Sequence, residues 1–382
     1  MENINIPGQK IGILTYHRAD NYGSVLQAYA LLEEIKRITK GEVKIIDYTT
    51  DAQESIYSIY YRCNTIKNIL KNIFIFTCLR KNRRKIKDSF SSFREKYLKV
   101  SNSTKITELT SLDEERYTTI VCGSDQIWNL RIKDFNKIYM LSPLNNVRKL
   151  SYAASMGGID LQLRIDEKEN IRNMLSSFVG ISVRENIAAN MLSDIMDKKI
   201  NIHIDPVFLL DSDEWKKLAS PRWINEEYIF FYSVDYNDVS VEIARWYGKK
   251  FNMPVYIMYT SKKSHFICKD GIKWVGKTGV DDFLSLFIHA KFVLTGSFHG
   301  TCFAVIFNKP FFRIQKTKNG CQVIDDRIQS LFRKLSITDR EITVDNYKEK
   351  AAMIYEFDFK NVNCNILDER QKAREYLGGI LL

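Results

Sequence analysis

Proline and glycine are scarce in this chain, at 6 and 17 of 382 residues, which excludes a collagen-like or low-complexity polypeptide. No apolar run approaches the roughly 18 residues that a membrane span requires. Met1–Lys10 lacks a basic stretch followed by an apolar one, so no secretory signal is expected. The seven cysteines, at 63, 78, 122, 268, 302, 321 and 364, are odd in number and never form C-x-x-C. They oppose a disulfide framework and a zinc ribbon, and fit reduced thiols in a cytoplasm. There is no H-E-x-x-H and no defensible Ser-His-Asp order. His299-x-x-Cys302 has a metal-like spacing without further ligands, so Cys302 is expected in a core and no metal is expected.

What the chain has in quantity is apolar surface, with 45% hydrophobic and 12% aromatic residues. That excludes intrinsic disorder and suits two or three domains. The net charge of +11 is concentrated: residues 61–99 hold 12 Lys and Arg against Asp88 and Glu95, which is +10 of the total. The remainder is nearly neutral, which disfavours a generally basic nucleic-acid binder.

Strand and helix patterns alternate. A strand at Lys10–Tyr16, a turn at 18–23, a helix over Ser24–Thr39 and a strand at Val43–Asp47 form the first unit. Further strands are expected at Thr118–Cys122, Lys149–Ala153, Val179–Val183 and Ile202–Ile204. A second series runs through Tyr228–Val234, the helix Val239–Phe251, Pro254–Tyr259, the helix Asp281–His289 and Phe292–Thr295. A helix over Phe298–Phe307, a strand at Pro310–Ile314 and a helix over Ile366–Leu382, ending near Gly378-Gly379, complete it. Such alternation implies parallel strands with helices on the faces. The expected fold is α/β, two doubly wound Rossmann-like domains facing a cleft, over residues 1–210 and 211–382, with an insertion at about 52–100.

Gly271-Ile-Lys-Trp-Val-Gly276-Lys277-Thr278 satisfies the P-loop expression. That motif needs a preceding strand and a helix opening at Gly-Lys-Thr. Here Gly279 follows at once, Asp281 better caps the next helix and Trp274-Val275 suits a strand, so an ATP site is not expected.

The loops that follow the strands are more informative, since ligands of open α/β sheets bind beyond the carboxyl ends of the strands. After Phe292–Thr295 come Gly296, Ser297 as an N-cap, and Phe298, His299, Gly300 and Thr301 in a first helical turn that favours an anion. The plain alternative is a histidine bonded to nearby backbone. Arg184 directly follows a buried strand, where a guanidinium can grip carboxylate or phosphate; its alternative is an ion pair with Glu185 or Asp205. Asn21-Tyr22-Gly23 forms the first strand-to-helix turn, where glycine permits close approach to a ligand. Asp125, Gln126, Trp128 and Asn129 form a polar cluster with one indole after a strand, suited to hydroxyl-rich ligands such as sugars. A capped turn over a core tryptophan is the other reading. Ser151–Gly157 is placed similarly.

Taken in order, these segments resemble the polysaccharide pyruvyl transferase family. The resemblance is carried by GILTYHRADNYGSVLQAYA at Gly12–Ala30, VCGSDQIWN at Val121–Asn129 and SYAASMG at Ser151–Gly157. SVRE at Ser182–Glu185, DPVFLL at Asp205–Leu210 and LTGSFHGTCFAVIFNKP at Leu294–Pro310 complete it. It implies a fold like that of the GT-B glycosyltransferases, with an acceptor-side first domain and a donor-side second domain. It also implies phosphoenolpyruvate as donor co-substrate without a further cofactor, and a lipid-linked or oligosaccharide acceptor in bacterial capsule or exopolysaccharide synthesis. The resemblance matches Arg184 and His299 to residues of the family; Arg184 and Ser297–Thr301 are expected to bind the donor, and Asn21–Gly23 with Gln126, Trp128 and Asn129, from their placement and chemistry, to bind the acceptor. From the chemistry, His299 is expected to serve as general acid or base, and Asp125 is the weaker candidate to take the acceptor proton. Ser297 and Phe298 stand where many members have arginine and leucine, so Arg313 or Lys309 is expected to replace the missing cation. A nucleotide-sugar-dependent glycosyltransferase of the same architecture is the competing reading.

The basic segment has its own pattern. Ile66, Ile69, Leu70, Ile73, Phe74, Phe76 and Leu79 precede Arg80–Lys87, which suits a helix lying in an anionic membrane surface without spanning it. A helix packed on its own domain with solvated charges is the alternative. The expected location is thus cytoplasmic, with peripheral contact to the inner face of the membrane.

Overall fold

The first parallel sheet grows from Lys10–Leu14 (β1), whose last four residues are buried. Its apolar side chains can be covered on both faces only if helices flank the sheet. The turn after β1 is closed by Asn21, whose Oδ1 accepts from the amides of Gly23 at 3.0 Å and Ser24 at 3.4 Å. The helix therefore opens at Tyr22, two residues before the expected Ser24, and runs to Ile38 (α1) with Val25, Leu26, Leu31, Leu32 and Ile35 buried. Description covers residues 9–101, 117–142, 144, 146–158, 163–258, 267–318 and 321–382 of a computed structural model.

Glu42–Ile45 (β2) is followed by Asp51–Ile56 (α2), Ile66–Phe74 (α3), a π-helical turn at Ile75–Leu79 and Arg80–Tyr97 (α4), which fill the expected insertion. The chain returns to the sheet at Thr119–Cys122 (β3) and Arg148–Ser151 (β4). Ile165–Leu175 (α5), Phe178–Gly180 (β5), Ser182–Val183 (β6), Asn186–Met196 (α6) and Asn201–Ile202 (β7) follow. The single strand expected over 179–183 is thus two, separated at Ile181: β5 joins the main sheet while β6 pairs with β7. The five-stranded sheet has the order β2-β1-β3-β4-β5, all parallel.

Beyond the short helix Ser212–Leu218 (α7), a second parallel sheet is built from six strands. They are Ile229–Tyr232 (β8), Val255–Ile257 (β9), Ile272–Trp274 (β10), Phe292–Thr295 (β11), Phe311–Ile314 (β12) and, after the hairpin Thr317–Lys318 (β13) and Cys321–Gln322 (β14), Glu341–Ile342 (β15). Their order is β10-β9-β8-β11-β12-β15. The helices are Asp238–Lys250 (α8), Val280–His289 (α9), Phe298–Ile306 (α10), Asp326–Leu335 (α11) and Phe359–Leu381 (α12). The P-loop-like motif contains β10 in its middle, and α9 is capped at Gly279, whose amide donates to Asp282 at 3.1 Å. No phosphate-wrapping loop is formed there. Tyr259, placed in a strand by its sequence, lies outside the described residues.

Two compact units result, Met1–Leu209 with Asp368–Leu382 and Leu210–Leu367. This corrects the expectation that residues 211–382 form one domain, because α12 starts in the second unit and ends in the first. It also runs through Gly378-Gly379 instead of stopping there. Buried Ala373, Leu377 and Leu381 recur every four residues on one face, and that packing outweighs the low helix propensity of glycine, roughly 1 kcal/mol per residue.

Candidate functional site

In chain order the second sheet reads 3-2-1-4-5-6, so the direction of winding reverses between β8 and β11, where ligands of such sheets bind. His299 stands just past this point. Ser297 caps α10, its hydroxyl accepting from the Gly300 amide at 3.4 Å. Thr295 Oγ1 donates to the Tyr232 carbonyl of the neighbouring strand at 2.8 Å and accepts from the Ser297 amide at 3.1 Å. These bonds fix the α10 entrance to the ends of both strands. His299 is half-buried in the first turn, its ring edge-on to Phe298 at 5.3 Å. Thr301 is fully buried and donates to the Ser297 carbonyl at 3.0 Å, so its hydroxyl belongs to the helix and not to a ligand. Gly300 is needed for closeness: a Cβ there would meet Thr295 Oγ1 at 2.2 Å. Gly300→Ala should therefore cost about 1–3 kcal/mol through overpacking, a loss readable as a lowered urea midpoint; an unchanged midpoint would contradict this account of the turn.

Neither expected replacement cation is available. Arg313 on β12 is buried, paired with Glu341 at 2.6 Å and within 3.9 Å of Asp325. Lys309 lies at the opposite end of the sheet, donating to the Ala290 carbonyl ahead of β11 at 3.2 Å. Two described cations near the carboxyl edge were missed by the sequence reading. Lys316 is exposed, two residues past β12. Although the residue as a whole is exposed, protein atoms around its ammonium partly desolvate it, and this, with the charges of Arg327 and Arg313, lowers its pKa against the opposing pull of Asp325 and Asp235. Arg327, on the first turn of α11, grips Asp325 through two bonds of 2.8 and 2.6 Å and lies 5.9 Å over the Phe298 ring. The only sequence signal for either is position: each follows a strand or cap at the same sheet edge.

The first sheet reads 2-1-3-4-5, reversing between β1 and β3. Asp125 follows β3 at that point. It has a positive φ of 70°, uncommon outside glycine and of a kind that clusters at functional sites. One carboxylate oxygen accepts from Ser24 Oγ at 2.5 Å and the other from the Gln126 amide at 2.8 Å. Gln27 ties the two loops, donating to Thr15 Oγ1 at 2.8 Å and accepting from the Ser124 amide at 3.1 Å.

Around this point several expected ligand contacts are spent on structure. Asn21 is the α1 cap, and Tyr22 and Gly23 are buried, with the Tyr22 ring 4.9 Å from Phe90. Trp128 is fully buried, donates Nε1–H to the Tyr139 carbonyl at 2.9 Å and meets Phe178 edge-on. Its indole is therefore a core element and offers no face to a sugar. Asn129 Nδ2 donates to Gln126 Oε1 at 2.9 Å, leaving half-buried Gln126 as the more accessible of the pair. Arg184 is buried and paired with Asp205 at 2.5 Å and Glu185 at 3.7 Å, which is the ion-pair alternative of the sequence reading. Burial would lower its pKa, but the charges of Asp205, Glu185 and Asp125 raise it above the usual value. Glu185 in turn accepts from Ser155 Oγ and from the Met156 amide.

A second cluster, missed in the sequence, lies past β1 and β2. His17 Nε2 is 3.1 Å from Asp47 Oδ1, and Arg18 binds both oxygens of the same carboxylate at 2.5 Å. Burial raises the Asp47 pKa, but the hydrogen bonds from His17 and Arg18 prevail and hold it well below the ordinary carboxylate range. These residues line a polar cavity of about 580 Å³ with Arg94 and Ser101. His17 and Asp47 are 30 positions apart, so only the pairing of β1 with β2 brings them together.

Many solved structures share the fold, and three illustrate it. The UDP-GlcNAc 2-epimerase of Neisseria meningitidis bound to UDP-GlcNAc has a TM-score of 0.55 at 10% identity, covering 97% of this chain and 99% of that one. Staphylococcus aureus MnaA, in its UDP co-structure, gives 0.50 at 12%, covering 97% and 90%. A protein of Listeria monocytogenes assigned as a UDP-N-acetylglucosamine 2-epimerase gives 0.50 at 9%, covering 97% and 91%. At such identities they establish architecture alone, two Rossmann-like domains of the GT-B kind. No curated protein matches the chain in sequence. The polysaccharide pyruvyl transferase profile, however, matches residues 21–315, from the capped turn before α1 to the end of β12. The motif order, the two sheet reversals that carry it and this match agree: the chain belongs to the polysaccharide pyruvyl transferase family.

Proposed function

We propose that the protein transfers pyruvate from phosphoenolpyruvate to a pair of sugar hydroxyls, forming a cyclic ketal on a bacterial capsular or exopolysaccharide precursor. The observation that carries this reading is the half-buried His299 at the β8/β11 reversal, with Lys316 and Arg327 at the same edge. A donor bearing both carboxylate and phosphate suits a helix N-terminus flanked by cations. Protonation of C3 makes C2 electrophilic, and one hydroxyl adds to it. The phosphate then leaves as inorganic phosphate, and the second hydroxyl closes the ring with loss of its proton. His299, an imidazole able to hold or give up a proton, supplies or accepts a proton in the second unit. Asp125, held by Ser24 and Gln126, accepts the acceptor proton in the first unit, with Gln126 beside it for a hydroxyl.

Mass spectrometry of a lipid-linked oligosaccharide incubated with phosphoenolpyruvate should reveal a gain of roughly 70 daltons, pyruvate less water, with one phosphate released per ketal. Release of a nucleoside diphosphate from a nucleotide sugar, without that gain, would instead establish the glycosyltransferase reading.

A further inference from the structure

The helix at Ile66–Leu79 is inside out. Its inward side carries Asn68 and Asn72 with buried Ile75 and Leu79. The asparagines are satisfied by their own loop: Asn72 exchanges hydrogen bonds with the Tyr61 backbone at 2.8 and 2.9 Å, and Asn68 donates to the Arg62 carbonyl at 3.0 Å. The outward side carries Ile66, Leu70, Ile73 and Phe76, which are 78%, 62%, 57% and 59% exposed. At 100° per residue, Ile66, Leu70 and Ile73 fall within one arc, and Ile75 lies opposite. A solvent-facing helix normally reverses this arrangement, and contiguous exposed apolar surface marks an interaction site.

Charge identifies the occupant. No acidic residue occurs from Tyr61 to Lys87, and the helix continues through exposed Arg80, Lys81, Arg84, Lys85 and Lys87. Arg80 lies 5.1 Å over the Phe76 ring, joining the cationic end to the apolar face. A second copy of this face would bring like charges together, and nucleic acid would leave the aliphatic side chains without a partner. An anionic bilayer satisfies both, with headgroups for the cations and acyl chains for the apolar arc. Fourteen residues of helix reach roughly 21 Å, short of the roughly 30 Å hydrocarbon core, and no described helix is long and apolar enough to cross. We infer that Ile66–Lys87 is an in-plane membrane-binding element, seated in an anionic lipid surface through Leu70, Ile73 and Phe76 with Lys81, Arg84 and Lys85 at the headgroups.

The test uses the full chain with vesicles of phosphatidylcholine alone or mixed with phosphatidylglycerol, and neither donor nor acceptor, so its outcome is independent of the proposed reaction. Co-sedimentation should occur with the mixed vesicles and weaken as salt rises. The triple change K81Q/R84Q/K85Q should reduce partitioning by about 100-fold, given the worth of each surface cation. L70S/I73S should abolish it, and both variants should keep the wild-type melting curve because these side chains are exposed. Arg83 is left intact, since it donates to the Ile59 carbonyl at 2.5 Å. Indifference to anionic vesicles at low salt, with amides 66–79 protected from exchange in the free monomer, would overturn the inference in favour of internal packing. A vesicle-independent dimer dissolved by L70S/I73S, or oligonucleotide binding untouched by it, would overturn it likewise.

Discussion

His299→Ala is expected to lower kcat for ketal formation by about 10²–10⁴-fold, the range typical of a lost general acid or base. The fold should survive, because the half-buried ring lies against Phe298 while the α10 entrance is held by Thr295 and Ser297. Circular dichroism and the melting midpoint should therefore match wild type. The donor KM should move little compared with kcat, since Lys316 and Arg327 retain their charges. Arg327→Gln supplies the contrast: losing a cation of the proposed donor site should raise the donor KM more than it lowers kcat. A folded His299→Ala enzyme with wild-type kcat would remove the histidine from the chemistry.

Arg184→Ala should lower stability by about 3–5 kcal/mol, because it strands the Asp205 carboxylate in the interior of the first unit. Asp205 accepts from the Val207 amide at 3.1 Å and Ser124 Oγ at 3.4 Å, but these neutral donors carry no charge to offset its own, and Glu185 is a second carboxylate beside Arg184. The double variant Arg184→Met with Asp205→Leu should recover much of the loss, since a well-packed apolar pair can replace a buried ion pair. Urea denaturation of all three proteins measures it; a single variant within ~0.5 kcal/mol of wild type, the scatter of ordinary surface changes, would refute it. Arg184→Lys keeps the charge without the planar fork. A raised donor KM in that folded variant would return Arg184 to the donor site.

The parts of the protein readable from its residues are those set by local pattern. Buried strands such as Phe292–Thr295 and the Ser297 cap stand out because apolar run, cap and helix are adjacent in sequence. In a parallel sheet every strand ends at the same edge, so motifs that each follow a strand must gather there. Other features depend on distance along the chain. The Arg184–Asp205 pair is separated by 21 positions, and Lys316 joins Arg327 only through the fold of β12 and α11. Trp128 beside polar residues has the composition of a sugar platform, and burial alone makes it core. Likewise Ile66, Leu70 and Ile73 have one periodicity whether they face in or out; the hydrogen bonds of Asn68 and Asn72 determine the direction.

The path of α12 bears on the order in which the protein can be made. The first unit lacks part of its surface until residues 368–382 exist. Arg374 reaches the buried Glu34 at 2.6 Å, Tyr376 donates to the Ser151 carbonyl at 2.9 Å, and Gln9 donates to the Leu381 carbonyl at 2.6 Å. On the ribosome, where domains generally fold as they emerge, the unit synthesised first is the one completed last. Until then Glu34 lacks Arg374, and the sites that receive Ala373, Leu377 and Leu381 stay open. The second unit, continuous from Leu210 to Leu367, waits for no later segment.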